Sequence, residues 1–166
     1  MITSLVVAAA ALFAPQDADL EAHARRLLEE VPLIDGHNDV PWNYRARSQN
    51  KLDGIDLAGD TSTGERPMHT DIPRLREGGV GGQFWSVYIP IRGMRGGTDG
   101  DARTVLEQID LVHRMIARYP DTFELALTPD DVVRIHRDGR IASMMGMEGG
   151  HSIENSLGVL RATYAY

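Results

Sequence analysis

Apolar positions along the chain change their spacing several times, and each change marks an element. Leu20, Ala24, Leu27 and Leu28 recur on one face of a helix over Asp19 to Glu30, and Pro32 stops it. Pro32-Leu33-Ile34-Asp35 reads as a short buried strand. Gly36-His37-Asn38-Asp39 then opens a stretch rich in Asp, Gly, Ser and Thr that reads as irregular to about Met68, and connections of that length are usually functional or mobile. A brief helical pattern covers Asp71 to Glu77. Glycines 78, 79, 81 and 82 precede Gln83 to Ile89, whose aromatic and β-branched residues give the strongest strand signal in the chain. Val105, Leu106, Ile109, Val112 and Ile116 space a helix from Asp101 to Tyr119, which Pro120 ends. Phe123 to Leu127 is a third strand candidate. Thr128 is placed to cap a helix running to His136, with Pro129 at its first position. Ile141 to Met147 is a fourth strand leading directly into Glu148-Gly149-Gly150-His151, and a helical pattern resumes from Ser156 to Tyr166.

Four strands alternating with helices, each connection long enough for a crossover, predict parallel pairing in an α/β fold. A complete eight-stranded α/β barrel takes roughly 250 residues, so four units correspond to about its first half. A small open sheet is the alternative. No internal repeat or low-complexity tract interrupts the pattern. Leu5 to Ala14 is uninterruptedly apolar, too short to span a bilayer and of the length of a secretory h-region. Residues 1–14 are therefore expected to be a signal peptide and 15–166 a partial domain, which would place the protein outside the cytoplasm, periplasmic or secreted. No Lys or Arg precedes the run, so a disordered or core-packed start is the competing reading, and membrane association is left open.

Composition narrows the chemistry. The 166 residues are 42% hydrophobic and 25% charged, as in ordinary globular proteins. Seventeen Lys and Arg against 24 Asp and Glu leave a net charge of −7, which argues against a nucleic-acid partner. There is no cysteine, which excludes disulfides, thiolate nucleophiles and Cys-ligated zinc; any metal must be held by His, Asp and Glu.

His37 and Asp39 are two apart, and if the first strand stays extended through them their side chains share a face at its carboxyl end. The same Asp-Gly-His-Asn-Asp run is also turn-forming composition. Glu148 ends another strand; alone, it reads equally as a solvated acid near a helix start. In parallel α/β folds the carboxyl ends of the strands form one rim where ligands gather, so His37, Asp39 and Glu148 are expected to converge there. An imidazole with two carboxylates suits zinc or another divalent transition metal, and a carboxylate such as Glu148 can bridge two ions about 4 Å apart. His151 is placed to orient a ligand from behind. Trp42, Trp85 and Tyr88 either wall a pocket at the rim or belong to the core. His23, His113 and His136 read as surface or packing residues, His69 lies in the irregular stretch, and Met144, Met145 and Met147 fit strand packing.

Three ordered motifs carry a family likeness. Leu33-Ile34-Asp35-Gly36-His37-Asn38-Asp39-Val40-Pro41-Trp42, Gly79-Val80-Gly81-Gly82-Gln83-Phe84-Trp85-Ser86-Val87-Tyr88 and Met147-Glu148-Gly149-Gly150-His151-Ser152-Ile153 closely resemble the membrane (renal) dipeptidase family, metallopeptidase family M19. The likeness extends through Arg161 and covers nearly all of the chain after the leader, but only the N-terminal half of a family domain. It implies a metal-dependent (β/α)8 TIM barrel related to amidohydrolases, cut after about four strands. It further implies a zinc-dependent dipeptidase using metal-activated hydroxide, with a D-residue tolerated at the dipeptide's C-terminal position and β-lactams opened by some members.

Carried over by the same resemblance, His37 and Asp39 look like ligands of the first of two zinc ions and Glu148 like the carboxylate bridging both. The remaining ligands and the substrate-contacting groups fall in family segments beyond Tyr166, so no catalytic residue is assignable within this chain. The expected partner is a dipeptide, and a homodimer is compatible with the sequence. The rival expectations are a related amidohydrolase acting on another amide or a lactam, and a non-catalytic fragment serving as an interaction module. A half barrel would also expose strand edges and apolar faces, an aggregation hazard.

Overall fold

The computed structural model describes residues 18–91 and 100–164. The expected leader lies outside them, as do the last two residues of the final helical pattern. The first helix, α1, runs over 18–30. Its Leu28 rests on Gly79, which has φ +67° and would place a Cβ 2.9 Å from Leu28 Cδ1, so both backbone and space demand glycine there.

Four parallel strands follow: β1 (Leu33–Asn38), β2 (Val80–Tyr88), β3 (Phe123–Leu125) and β4 (Ile141–Glu148). Their order in the sheet is β1-β2-β4-β3. The helices between them are α2 (Val40–Ser48), α3 (Ile72–Glu77), α4 (Ala102–Arg118) and α5 (Pro129–Arg137), and α6 (Leu157–Thr163) comes last. The register of β2 and β4 is unbroken from Gly82↔Ala142 to Tyr88↔Glu148, so both strands reach the same level at their carboxyl ends.

Two expectations are corrected. The stretch after Asp39 is not irregular throughout, because it opens with α2. The sequence hides this helix: only Val40, Pro41 and Tyr44 are buried, too few apolar positions for a 3.6-residue stripe to stand out. Tyr44 anchors it by donating its hydroxyl to the Ile55 carbonyl at 2.9 Å. The second correction concerns β3, which is three residues long and pairs only with Ile141, Ala142 and Ser143. Leu127 and Thr128 cannot extend it, because both backbone N–H groups donate to Asp131 Oδ2 in the capping box of α5. Three strands, not four, therefore reach the rim.

The main core lies between one face of the sheet and α2, α3 and α4. Trp85 is wholly buried there with Tyr44, Leu111, Val112 and Met115. It meets Phe123 edge to face at 5.5 Å, which makes it core and not pocket wall. Ile135 of α5 packs on Ala126, just past the end of β3, and on Ala142 near the start of β4. Ile34, Phe84, Leu127, Met144 and Tyr164 line an apolar cleft of about 690 Å³.

Candidate metal centre

His37 is the next-to-last residue of β1 and Glu148 the last residue of β4, with β2 between them. Asp39 arrives differently from expected. The strand ends at Asn38, and Asp39 has φ −88° and ψ 18°, neither extended nor helical, so the chain turns to present it. Although it occupies the capping position of α2, its carboxylate makes no capping bond; Asn43 is held by the Asp39 backbone carbonyl instead. The carboxylate faces His37.

The geometry is close. His37 Nε2 lies 3.2 Å from Asp39 Oδ1 and 3.5 Å from Glu148 Oε2. One donor atom from each residue falls within 4.8 Å of the others. The side chains are about half exposed, 55%, 55% and 44% in the same order, so the cluster is open to solvent and solute. Among the described residues, no arginine or lysine pairs with either carboxylate. Two acids drawn towards one imidazole with no basic partner leave negative charge for a cation to offset, and one nitrogen with two oxygens is a donor set that divalent transition metals accept. Three protein donors also leave a coordination position open, as catalytic zinc sites do.

Side chains the sequence reading did not single out hold Glu148. Ser86 is buried and donates to Glu148 Oε2 at 2.9 Å, while Ser152 donates to the Glu148 carbonyl at 2.9 Å. Ser86 had a signal that went unused: alternation along β2 puts it on the same face as Phe84 and Tyr88, a hydroxyl in an otherwise apolar run. Beside His37 and Asp39 opens a cleft of about 490 Å³ lined by Asn43, Arg47, His69 and Thr70 among others.

Of the supporting residues named from sequence, Trp42 and Tyr88 meet edge to face at 5.3 Å, and Tyr88 is the strand neighbour of Glu148. His151 lies in the short 3-10 helix Gly150–Ile153, with its Nε2 2.9 Å from the Ile89 carbonyl. A carbonyl only accepts, so that nitrogen carries the proton and the ring ties the loop after β4 to the end of β2. His136 likewise makes a packing contact, 3.2 Å from the Glu29 carbonyl.

A parallel α/β sheet with a His, Asp and Glu cluster at its carboxyl rim has the arrangement of the α/β proteins that carry their sites at the strand ends. The family model for membrane dipeptidases (peptidase family M19) matches residues 21–166, and the chain belongs to that family. It is 42% identical over 148 residues to dipeptidase verJ of Clonostachys rogersoniana, covering 85% of this chain and 37% of that protein. It is 46% identical over 144 residues to dipeptidase ataJ of Aspergillus terreus, with coverage of 83% and 34%. Dipeptidase 3 of Rattus norvegicus is 42% identical over 149 residues, with coverage of 89% and 28%. The chain thus spans about a third of the length of the curated relatives it matches.

Among solved structures, it is similar to a metallopeptidase from Rhodobacter sphaeroides liganded with a phosphinate mimic of the dipeptide L-Ala-D-Ala. The TM-score is 0.62 at 23% identity, over 82% of this chain and 43% of that one. The probable dipeptidase PvdM from Pseudomonas aeruginosa gives a TM-score of 0.61 at 18% identity, over 89% and 36%. The shared fold is a TIM barrel, of which this chain forms part.

Proposed function

We propose that this chain carries part of the active site of a zinc-dependent dipeptidase, with His37 and Asp39 holding one ion and Glu148 bridging it to a second. The observation that carries the reading is the meeting of these three side chains, from β1, the turn after it and β4, within 4.8 Å on the rim where barrel active sites lie. Membership of a family of metal-dependent peptide-bond hydrolases supports it.

When bound, such ions supply Lewis acidity, activating water near neutral pH and polarising the amide carbonyl. The chain's own residues do the rest. The two carboxylates offset the ionic charge, the imidazole contributes a neutral donor, and Ser86 fixes the rotamer of Glu148 so that its oxygens stay on the rim. Trp42 and Tyr88 form an apolar wall beside Glu148 against which a dipeptide side chain can rest. The apolar run Leu5 to Ala14 supports export as the route by which the enzyme meets extracellular or periplasmic dipeptides.

L-Ala-D-Ala is the natural first probe, since a mimic of it occupies the Rhodobacter relative. Zinc-dependent hydrolysis is the expected result for the chain completed to the length of its dipeptidase relatives. Glu148→Gln should lower kcat/KM by about a thousandfold, because metal Lewis acidity supplies several kcal/mol of transition-state stabilisation. Unchanged turnover in that variant, or turnover indifferent to chelation of the metal, overturns the proposal.

A further inference from the structure

Asn38 stands between two of the three donors and makes every one of its hydrogen bonds elsewhere. Its amide has a single consistent orientation. The Val40 backbone N–H lies 3.1 Å from Oδ1 and can only donate, so the carbonyl oxygen must face it. The Nδ2 group is thereby aimed at Thr70 Oγ1, 3.0 Å away, and Gln83 Oε1, 3.3 Å away. Gln83 is wholly buried, and its orientation follows by the same logic. Its Nε2 lies 3.3 Å from the Asp35 carbonyl and 3.2 Å from the Phe84 carbonyl, both of which only accept, which leaves Oε1 for Asn38. A continuous, satisfied chain of hydrogen bonds therefore runs from the backbones of β1 and β2 through Gln83 to Asn38, and from there to the start of α2 and to Thr70. In low-dielectric surroundings such a chain defines one arrangement sharply, and a missing member leaves its neighbours unpaired.

We propose that Asn38 is a positioning residue for the metal centre: its amide, oriented by Gln83 and Thr70, fixes the turn that brings the Asp39 carboxylate against His37 Nε2. The inference rests on the reading that His37, Asp39 and Glu148 bind zinc. Its geometric basis is that the Asp39 carboxylate has no capping bond, so the backbone turn at residues 38–40 sets its place. Asn38 ties both ends of that turn to a buried strand.

The test is zinc titration calorimetry on the full chain, with thermal unfolding of the metal-free protein measured alongside. Asn38→Ala should weaken zinc binding about 10–100-fold, the usual effect of losing a residue that orients a ligand. Thr70→Val, which removes one acceptor only, should weaken it severalfold and covers the case in which Asn38→Ala does not fold. The double variant should lose less than the product of the two. Thr128→Ala, in the remote cap of α5, should lower the unfolding midpoint and leave zinc affinity unchanged, which separates positioning from general destabilisation. With cobalt in place of zinc, the visible absorption of Asn38→Ala should change in shape, since the donors are displaced. If folded Asn38→Ala and Thr70→Val bind zinc within twofold of the native chain while His37→Ala has lost it, the proposal is wrong and the metal site stands. If the native chain binds no zinc, or His37→Ala binds it equally, the underlying reading fails and takes the proposal with it.

Discussion

Asp71 is wholly buried, caps α3 through the Arg74 N–H at 2.9 Å, and accepts from the Thr61 N–H at 3.0 Å. The Arg74 side chain bonds its carboxylate directly. That hydrogen bond, helped by the two backbone donors and opposed by burial, holds the Asp71 carboxyl down at about 2, against an ordinary 3.8. A depressed folded-state pKa means stability that is complete above the unfolded value and is lost as protons return. Unfolding free energy should therefore fall between about pH 4 and pH 2. The contribution should be about 1–2 kcal/mol, since the Arg74 side chain is 35% exposed and partly screened. Asp71→Asn should flatten that part of the pH profile in urea unfolding, and an unchanged profile would count against the assignment.

At this same scale the reading of single residues from sequence divides by chemistry. That His37, Asp39 and Glu148 come together was legible because His37 and Glu148 lie at the carboxyl ends of parallel strands, whereas the turn that presents Asp39 was not. Asn38, Thr70, Gln83 and Ser86 were not, because neutral polar side chains acquire a partner only when strand register brings distant segments together.

Among the elements, β2 shows how closely the sheet is fitted. A Cβ at Gly81 would lie 2.7 Å from the Pro32 Cα, a backbone atom that cannot swing aside, and the same distance from His136 Nδ1. Gly81→Ala should thus destabilise the fold by about 1–3 kcal/mol through overpacking where β1 begins, read as a lower urea midpoint with little change in slope. A midpoint equal to the native one would mean that β1 is free to move away from β2. The glycines were visible in sequence as punctuation before a strong strand, but their reason, the close approach of Pro32, was not. Conversely, the cap of α5 was readable, since Thr128 followed by Pro129 marks a helix start, and the structure adds the reciprocal bond from Asp131 that makes it a capping box. The cap also explains the short β3: the two residues that would have lengthened the strand donate their N–H groups to Asp131. Helix α2 escaped notice for the opposite reason, having a buried face too narrow to leave a periodic trace.

Across the whole molecule, one face of the sheet is covered by α2, α3 and α4, while the other is covered only in part by α5 and keeps a cleft of apolar side chains in contact with water. Ile34 is 41% exposed, Leu127 66% and Tyr164 90%. Such a face, beside the edge of β1 that no described strand pairs, favours self-association. Sedimentation velocity should show an average mass rising with concentration, and Leu127→Lys should reduce the rise; a native chain that stays monomeric throughout would contradict this. The alternation that predicted a parallel α/β sheet was sound, but it could not supply the order β1-β2-β4-β3, because sequence spacing fixes how far a connection can reach and not which strand it passes. That order has a temporal side. His37 and Asp39 leave the ribosome early and Glu148 close to the end of the described length, with β2 wedged between them. A growing polypeptide consequently offers two donors first, and the third can join them only after β4 has slotted in beside β2.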